Sequence, residues 1–318
     1  MYNRPKLGAK IENPGEPHLG PTDQPALVIP PEIFDTAAAT LGAFFEPICR
    51  VDRHANAKDF LDYAKSFKRA ATLKRYTELE GKKCLEVGAG FGTNLAVLIK
   101  HFGVDGYGVE PGGEGFEAGF LASRKILEAN GISPGRVSNG VGESLPFPDE
   151  SFDIVYSANV LEHTQDPAKV LMESMRVLRK GGLLHMEIPN HLSYFEGHYM
   201  VLMPPLVSKS ILPLWIRWVV RRDPSFARTL RTEINPFWCR RTMRKIARVY
   251  PLDVITLGED LFLERLSGKM QFETQMVAGS IGGLMRVFQA VNRWNWIGRS
   301  IVLLRGYYPM FLTVRKRA

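Results

Sequence analysis

Between residues 82 and 190, short apolar runs alternate with amphipathic stretches, and this alternation limits the fold more than any other feature of the chain. Residues 82–88 (KKCLEVG) read as a buried strand running into a glycine-rich turn. YGVE at 107–110 is a second strand, RVSN at 136–139 a third, FDIVYS at 152–157 a fourth and LLHMEIP at 183–189 a fifth. The stretches between them have helical spacing. Leu95, Leu98, Ile99 and Phe102 share one face, and residues 114–130 form a second helix that Gly131 stops. Residues 166–182 form a third, with Pro167 near its start, Leu171, Met175 and Leu178 on one face, and Gly181 past its end. Buried strands alternating with helices indicate a parallel sheet covered on both faces. The expected class is α/β, a doubly wound, mostly parallel sheet.

The flanks fit around that core. Residues 1–31 hold seven prolines and read as an extended arm, and residues 32–80 look helical. After Pro189 the alternation breaks. Residues 191–237 are rich in Pro, Arg and aromatics, TMRKIARVY at 242–250 reads as a helix, and LDVITLG at 252–258 as a strand. Residues 260–304 look helical, with Ile281, Leu284, Met285, Phe288 and Val291 as a core stripe, and YYPMFLTVRK at 307–316 reads as a last strand. Two late strands bring the sheet to seven. The expected organisation is an N-terminal arm and helix (1–57), an α/β core (58–190), and a C-terminal part (191–318) that completes the sheet around helical lid insertions at about 191–237 and 260–304.

The turn after the first strand carries the most chemistry. It reads Glu86-Val-Gly88-Ala-Gly90-Phe-Gly92, at a strand end and opening a helix. Glycine there allows a tight turn and close approach of a ligand, and the helix N-terminus favours an anionic group. A dinucleotide turn would place its third glycine at position 93, which is Thr93. The acid before the turn is unfavourable to a diphosphate and suits an amino acid, which has an ammonium as well as a carboxylate. Glu110 ends the second strand, at a distance where an acid can accept hydrogen bonds from ribose hydroxyls. The plainer alternatives are a tight turn without ligand and a solvated strand-end carboxylate.

Four blocks in order, CLEVGAGFGTNL, GYGVEP, ESLPFPDESFDIVYSANVLEHTQDP and ESMRVLRKGGLLHMEIPN, resemble the class I S-adenosylmethionine (SAM)-dependent methyltransferases, in the branch with quinone, sterol and small-molecule enzymes. The resemblance covers residues 82–190 and implies a Rossmann-like methyltransferase core with SAM as cofactor. It implies that Glu86, Gly88, Gly90 and Gly92 hold the methionine end and Glu110 the ribose. Gly142 and Glu143 would lie beside the adenine, and Asn159 would face the sulfonium. One departure stands out: the family's adenine-contacting Asp is Val141 here, which leaves that contact to Gly142 or Glu143.

Three histidines fall where the strand ends of such a sheet bind ligands: His163, His191 and His198. Each could take a proton from an acceptor hydroxyl. The alternative is that His163 packs locally and the other two lie on the loop surface. Glu162, Asp166, Glu196 and His198 have metal-binding side chains, but their spacing matches no ligand motif, so no metal is assigned.

Charge bears on the acceptor. The formal net charge of +8 is concentrated in the C-terminal half: residues 201–250 hold eleven Lys and Arg against Asp223 and Glu233, and no acid follows Glu273. Trp215, Trp218, Trp238, Trp294 and Trp296 lie in the same half. A basic, aromatic surface without a spanning helix suits an anionic membrane face. Cys49, Cys84 and Cys239 form no CxxC pair and no disulfide framework, which fits a reducing compartment. The expected protein is cytoplasmic, peripheral at the inner membrane face, and transfers a methyl group to a hydroxyl of a small molecule, glycan or lipid-linked saccharide. Open alternatives are C- or O-methylation of a quinone-like molecule, RNA methylation, and a SAM-binding module without turnover. Nucleic acid is disfavoured because the basic stretch is too apolar for a phosphate-only surface.

Overall fold

The computed structural model describes residues 26–113, 117–203, 208, 210–266 and 294–318. Most of the proline-rich arm, the apolar stripe from Ile281 to Val291, and Arg286 and Arg293 lie outside the described residues. Three helices lead in: α1 (Pro31–Cys49), α2 (Arg53–Phe60) and α3 (Tyr63–Lys74). Asp52 and Asp62 cap the second and third, Asp52 accepting the N–H groups of His54 and Ala55 and Asp62 that of Ala64. α2 runs across the 57/58 boundary expected between arm and core.

The sheet then forms as the apolar runs require. Its strands are β1 (Lys83–Val87), β2 (Asp105–Glu110), β3 (Val137–Asn139), β4 (Phe152–Ala158) and β5 (Leu178–Ile188). Helices α4 (Thr93–Phe102), α5 (Glu117–Ala129) and α6 (Pro167–Val177) lie between them. A two-stranded hairpin, β6 (Phe195–Glu196) with β7 (Val201–Leu202), follows, and then β8 (Leu252–Thr256) and β9 (Met310–Lys316) rejoin the main sheet. The seven-stranded order is β3-β2-β1-β4-β5-β9-β8, with β9 antiparallel to both its neighbours.

Strand alternation divides the core into two layers. Leu85, Val87, Val155, Leu184, Met186, Leu312 and Val314 face α6 and α8 (Pro236–Ile246). Cys84, Ile154, Tyr156 and Leu183 face the other way, toward α1, α3, α4 and α5. The residues between β5 and α8 have a third, smaller core of Tyr199, Met203, Leu212, Ile216, Phe226 and Leu230, and Ile48 at the end of α1 joins it. This cap is tied down: Arg222 donates to the carbonyl of Ile48 at 3.1 Å and Arg231 to that of Thr164 at 3.1 Å.

Two boundaries differ from expectation. α6 stops at Val177, and Leu178 is already extended. The run RKGG therefore belongs to β5, where the register slips between the Phe152–Leu178 and Ile154–Leu183 pairs. Gly181 has φ 77°, and a Cβ on Gly182 would lie 2.9 Å from the Asp153 carbonyl, so both glycines serve a bulge. α8 begins at Pro236, six residues before the expected Thr242, because Asn235 accepts bonds from the N–H groups of Phe237 and Trp238. The 191–237 insertion is a mixed cap with a short hairpin, α7 (Leu212–Trp215) and a π turn at Ile216–Val220. Of the 260–304 insertion, α9 (Glu259–Leu266) and α10 (Trp294–Leu303) are described and helical. Among the described residues, no helix is long and apolar enough to cross a membrane.

Candidate functional site at the strand ends

The turn between β1 and α4 has left-handed backbone at all three glycines, with φ of 76° at Gly88, 53° at Gly90 and 82° at Gly92. Side-chain-bearing residues resist that region. Gly92 is also the N-cap of α4. Glu86, near the end of β1, is 1% exposed, and burial raises its pKa to about 8 against weaker opposing bonds from Asn94 and Leu95. Its Oε2 and the buried Oδ1 of Asn94 have no hydrogen-bond partner among the described residues. Two unmatched polar atoms in one place call for a ligand that meets them, and an amino-acid ammonium, against which Glu86 would ionise, meets that need.

Glu110 ends β2 and accepts a bond from the Gly90 N–H at 2.8 Å through Oε2. Its pKa is pushed up to about 7 by burial. Gly119 in α5 passes close by, where a Cβ would lie 3.3 Å from the other carboxylate oxygen. Glu86, Glu110 and the three glycines thus form one cradle, and its donor-poor acidic side fits SAM better than a diphosphate. Bound SAM would supply an electrophilic methyl group on its sulfonium.

The remaining cofactor candidates line the same end of the sheet. Gly142 sits where a Cβ would be 3.1 Å from Val87 and Val170. Glu143 is already engaged, with Oε1 accepting from the N–H groups of Gln165 at 2.8 Å and Asp166 at 3.3 Å. It holds the loop before α6, which leaves Gly142 the freer of the two for an adenine edge. Asn159 follows β4 with φ 54° and donates its backbone N–H to the Glu187 carbonyl at 2.9 Å.

Beyond Asn159 the three histidines converge. His163 Nε2 and His198 Nε2 are 3.4 Å apart, and His198 Nδ1 lies 2.8 Å from Glu196 Oε1. Glu196 Oε2 accepts the Tyr199 N–H at 2.7 Å. Burial opposes charge on both Glu196 and His198, but their pairing outweighs it, lowering the pKa of the acid and raising that of the imidazole. His163 is 40% exposed, yet burial of the rest of the ring and the neighbouring His198 push its pKa down to about 4. His191 is buried, with Nδ1 3.4 Å from the Ile234 carbonyl and Nε2 unpartnered among the described residues. His191 and His198 are therefore interior groups and not loop surface. Phe226 of the cap lies against the rings of both His163 and His198.

The acids of this cluster were visible in sequence as neighbours of the histidines but carried no spacing signal. Glu162 is 1% exposed, and its pKa is raised to about 7 by burial. Asp166, grouped with it in sequence, instead caps α6 by accepting from Ala168 and Lys169. Sequence reasoning missed Arg69 of α3, which crosses over the sheet and pairs with Glu187 at 3.0 Å, and Tyr308, whose hydroxyl leaves no room for a side chain on Gly197.

Residues 85–186 match the family model described as a methyltransferase domain. An uncharacterized methyltransferase of Mycobacterium sp. (strain JLS) is 37% identical over 120 residues, covering 38% of this chain and 44% of the relative. One from Mycobacterium tuberculosis (strain ATCC 25618 / H37Rv) is 35% identical over 120 residues, again covering 38% and 44%. The chain thus matches less than half the length of these curated relatives. Among solved structures, phosphoethanolamine N-methyltransferase 2 of Haemonchus contortus, in complex with phosphomonomethylethanolamine and S-adenosylhomocysteine, shares the fold at a TM-score of 0.50. It is 16% identical and covers 90% of this chain and 61% of that one. With its glycine turn, its acidic cradle and its strand order, the segment that residues 85–186 define is a methyltransferase domain on the class I SAM-dependent fold.

Proposed function

We propose that the protein transfers the methyl group of SAM to a hydroxyl of a small molecule, glycan or lipid-linked saccharide, with the acceptor oxygen activated beside His163. The observation that carries this reading is the chain of contacts from His163 to His198 to Glu196, which begins partly exposed at the strand ends and finishes on a buried carboxylate. A hydroxyl is a poor nucleophile until its proton is withdrawn; His163, kept neutral by its lowered pKa, offers a proton acceptor, and the His198–Glu196 pair behind it favours the positive charge that the transfer creates. A carbanion acceptor would not need it, and an amine, once neutral, needs less help. Glu86, Glu110 and the glycines hold the donor, and the cap between β5 and α8 covers the acceptor and excludes water.

The acceptor's membrane attachment rests on α7 and its π turn. Ile211, Leu214, Trp218 and Val219 are exposed there, with Trp218 at 69%. Arg217 lies over the Trp218 ring, 5.2 Å from its centre. Apolar side chains beside arginines suit the headgroup region of an anionic bilayer.

The test is methyl transfer from labelled SAM to isolated glycans, glycolipids, quinols and RNA, with the product identified by mass spectrometry. Methylation of a glycan or glycolipid hydroxyl, slowed about 100-fold or more in H163Q with S-adenosylhomocysteine affinity intact, supports the reading. Turnover confined to quinols or RNA refutes it.

A further inference from the structure

We propose that Glu162, His163 and His198 form a site for a single divalent transition-metal cation of the zinc class. Their ligand atoms, one carboxylate oxygen and two imidazole nitrogens, all lie within 4.8 Å of one another. Three observations point to a cation.

The first is the spacing of the imidazoles. The two Nε2 atoms face each other at 3.4 Å, long for a hydrogen bond between nitrogens. Two Zn–N bonds of about 2.05 Å at a tetrahedral angle span roughly 3.3 Å. Glu162 Oε1 stands 3.8 Å from His163 Nε2, so a small inward movement would complete a three-ligand face.

The second is Glu162 itself. It is 1% exposed, and neither carboxylate oxygen has a hydrogen-bond partner among the described residues. A buried carboxylate with both oxygens unmatched is costly unless a cation or donor meets it.

The third lies behind His198. Its other ring nitrogen, Nδ1, is 2.8 Å from Glu196 Oε1, and Glu196 is anchored by the Tyr199 N–H. A carboxylate behind a histidine fixes the ring and sharpens its metal-facing nitrogen, as in carboxylate–histidine–metal arrangements. Two imidazoles and one carboxylate suit zinc, iron, cobalt or manganese rather than calcium or magnesium, which prefer oxygen donors. Three protein ligands leave a coordination position for an oxygen of the acceptor or of water. A role in activating the acceptor hydroxyl rests on the function proposed above; cation binding does not.

The experiment uses the full chain, stripped with chelator, dialysed and titrated with Co²⁺ as a spectroscopic probe and with Zn²⁺ in competition. The expected result is one equivalent of Co²⁺ with the visible absorption of a low-coordinate nitrogen–oxygen site, displaced by Zn²⁺, and a higher melting temperature for the unsubstituted protein with Zn²⁺. E162Q, H163Q and H198Q should each weaken binding at least tenfold while still binding S-adenosylhomocysteine, and H54Q, on the surface, should not. An absent cobalt spectrum, no Zn²⁺ effect on melting, or binding that survives both E162Q and H198Q overturns the site. The melting experiment needs no variant, so a substitution that fails to fold does not blunt the test. None of these readouts involves methyl transfer, so loss of the site and loss of the proposed function are told apart.

Discussion

Glu110 Oε2 accepts the backbone N–H of Gly90 at 2.8 Å, so the acid that ends β2 also braces the turn that follows β1. Removing it should act twice, by taking away the acceptor proposed for the ribose and by releasing the turn. E110A is expected to weaken S-adenosylhomocysteine binding by roughly 1–3 kcal/mol, about 5- to 150-fold. E110Q, which keeps an acceptor oxygen, should lose less. Calorimetric titration of both variants measures this, and unchanged affinity in E110A would remove Glu110 from the cradle.

Gly88 and Gly90 should differ sharply as sites for alanine. A Cβ on Gly88 would come within 2.8 Å of one Val160 methyl and nearer still to the other, whereas a Cβ on Gly90 would meet nothing within 4 Å. G90A then costs only the left-handed backbone, about 1–2 kcal/mol. G88A adds overpacking of about 1–3 kcal/mol, and the G88A/V160A double variant should recover part of that addition. Urea unfolding gives all three values, and equal losses for G88A and G90A would contradict this geometry.

The raised pKa of Glu86 has a direction that can be measured. A carboxyl whose folded pKa rises from an ordinary 4.5 to about 8 is held protonated by the fold. Its contribution to the stability of the ligand-free protein is intact below pH 4.5 and is lost as pH rises through 8. E86Q should flatten this decline in thermal melts taken between pH 5 and pH 8.5. An ammonium seated against Glu86 favours the ionised form, so SAM binding near pH 7 should release close to one proton. Calorimetry in two buffers of different ionisation enthalpy should show that release in the native sequence and little of it in E86Q.

Membrane docking through α7 and its π turn predicts dependence on lipid charge. Each arginine near an anionic surface contributes about 1 kcal/mol, roughly fivefold in binding. Co-sedimentation with vesicles containing phosphatidylserine should exceed that with neutral vesicles at moderate salt. It should fall about 25-fold in R217A/R221A and also fall in W218A. Equal recovery with both lipids, or none with either, would count against this face.

Local features were readable and convergent ones were not. The β1 strand, its glycine turn and Glu110 lie within one βαβ unit, where apolar period and turn chemistry act over a few residues, so spacing alone placed them. The α6–β5 boundary was misplaced because Leu178 satisfies both the helical stripe and the strand that replaces it; the bulge at Gly181 and Gly182 decided it. The histidine cluster depends on Phe226 and Tyr199 folding the cap back over a loop thirty-five residues earlier in sequence. No periodicity encodes that return. Nor does any encode the crossing of Arg69 over the sheet to Glu187.

The placement of β9 imposes an order of assembly. This strand, at Met310–Lys316, lies between β5 and β8, although β8 precedes it in the chain. Until those seven residues leave the ribosome, β5 keeps an open edge and β8 has no neighbour to join. Two rows of backbone donors and acceptors therefore wait unpaired from the completion of β5 and of β8 until β9 is made, and such rows recruit other chains. A nascent protein stalled before Met310 should be a preferred client of chaperones that shield strand edges, and one released after Lys316 should not.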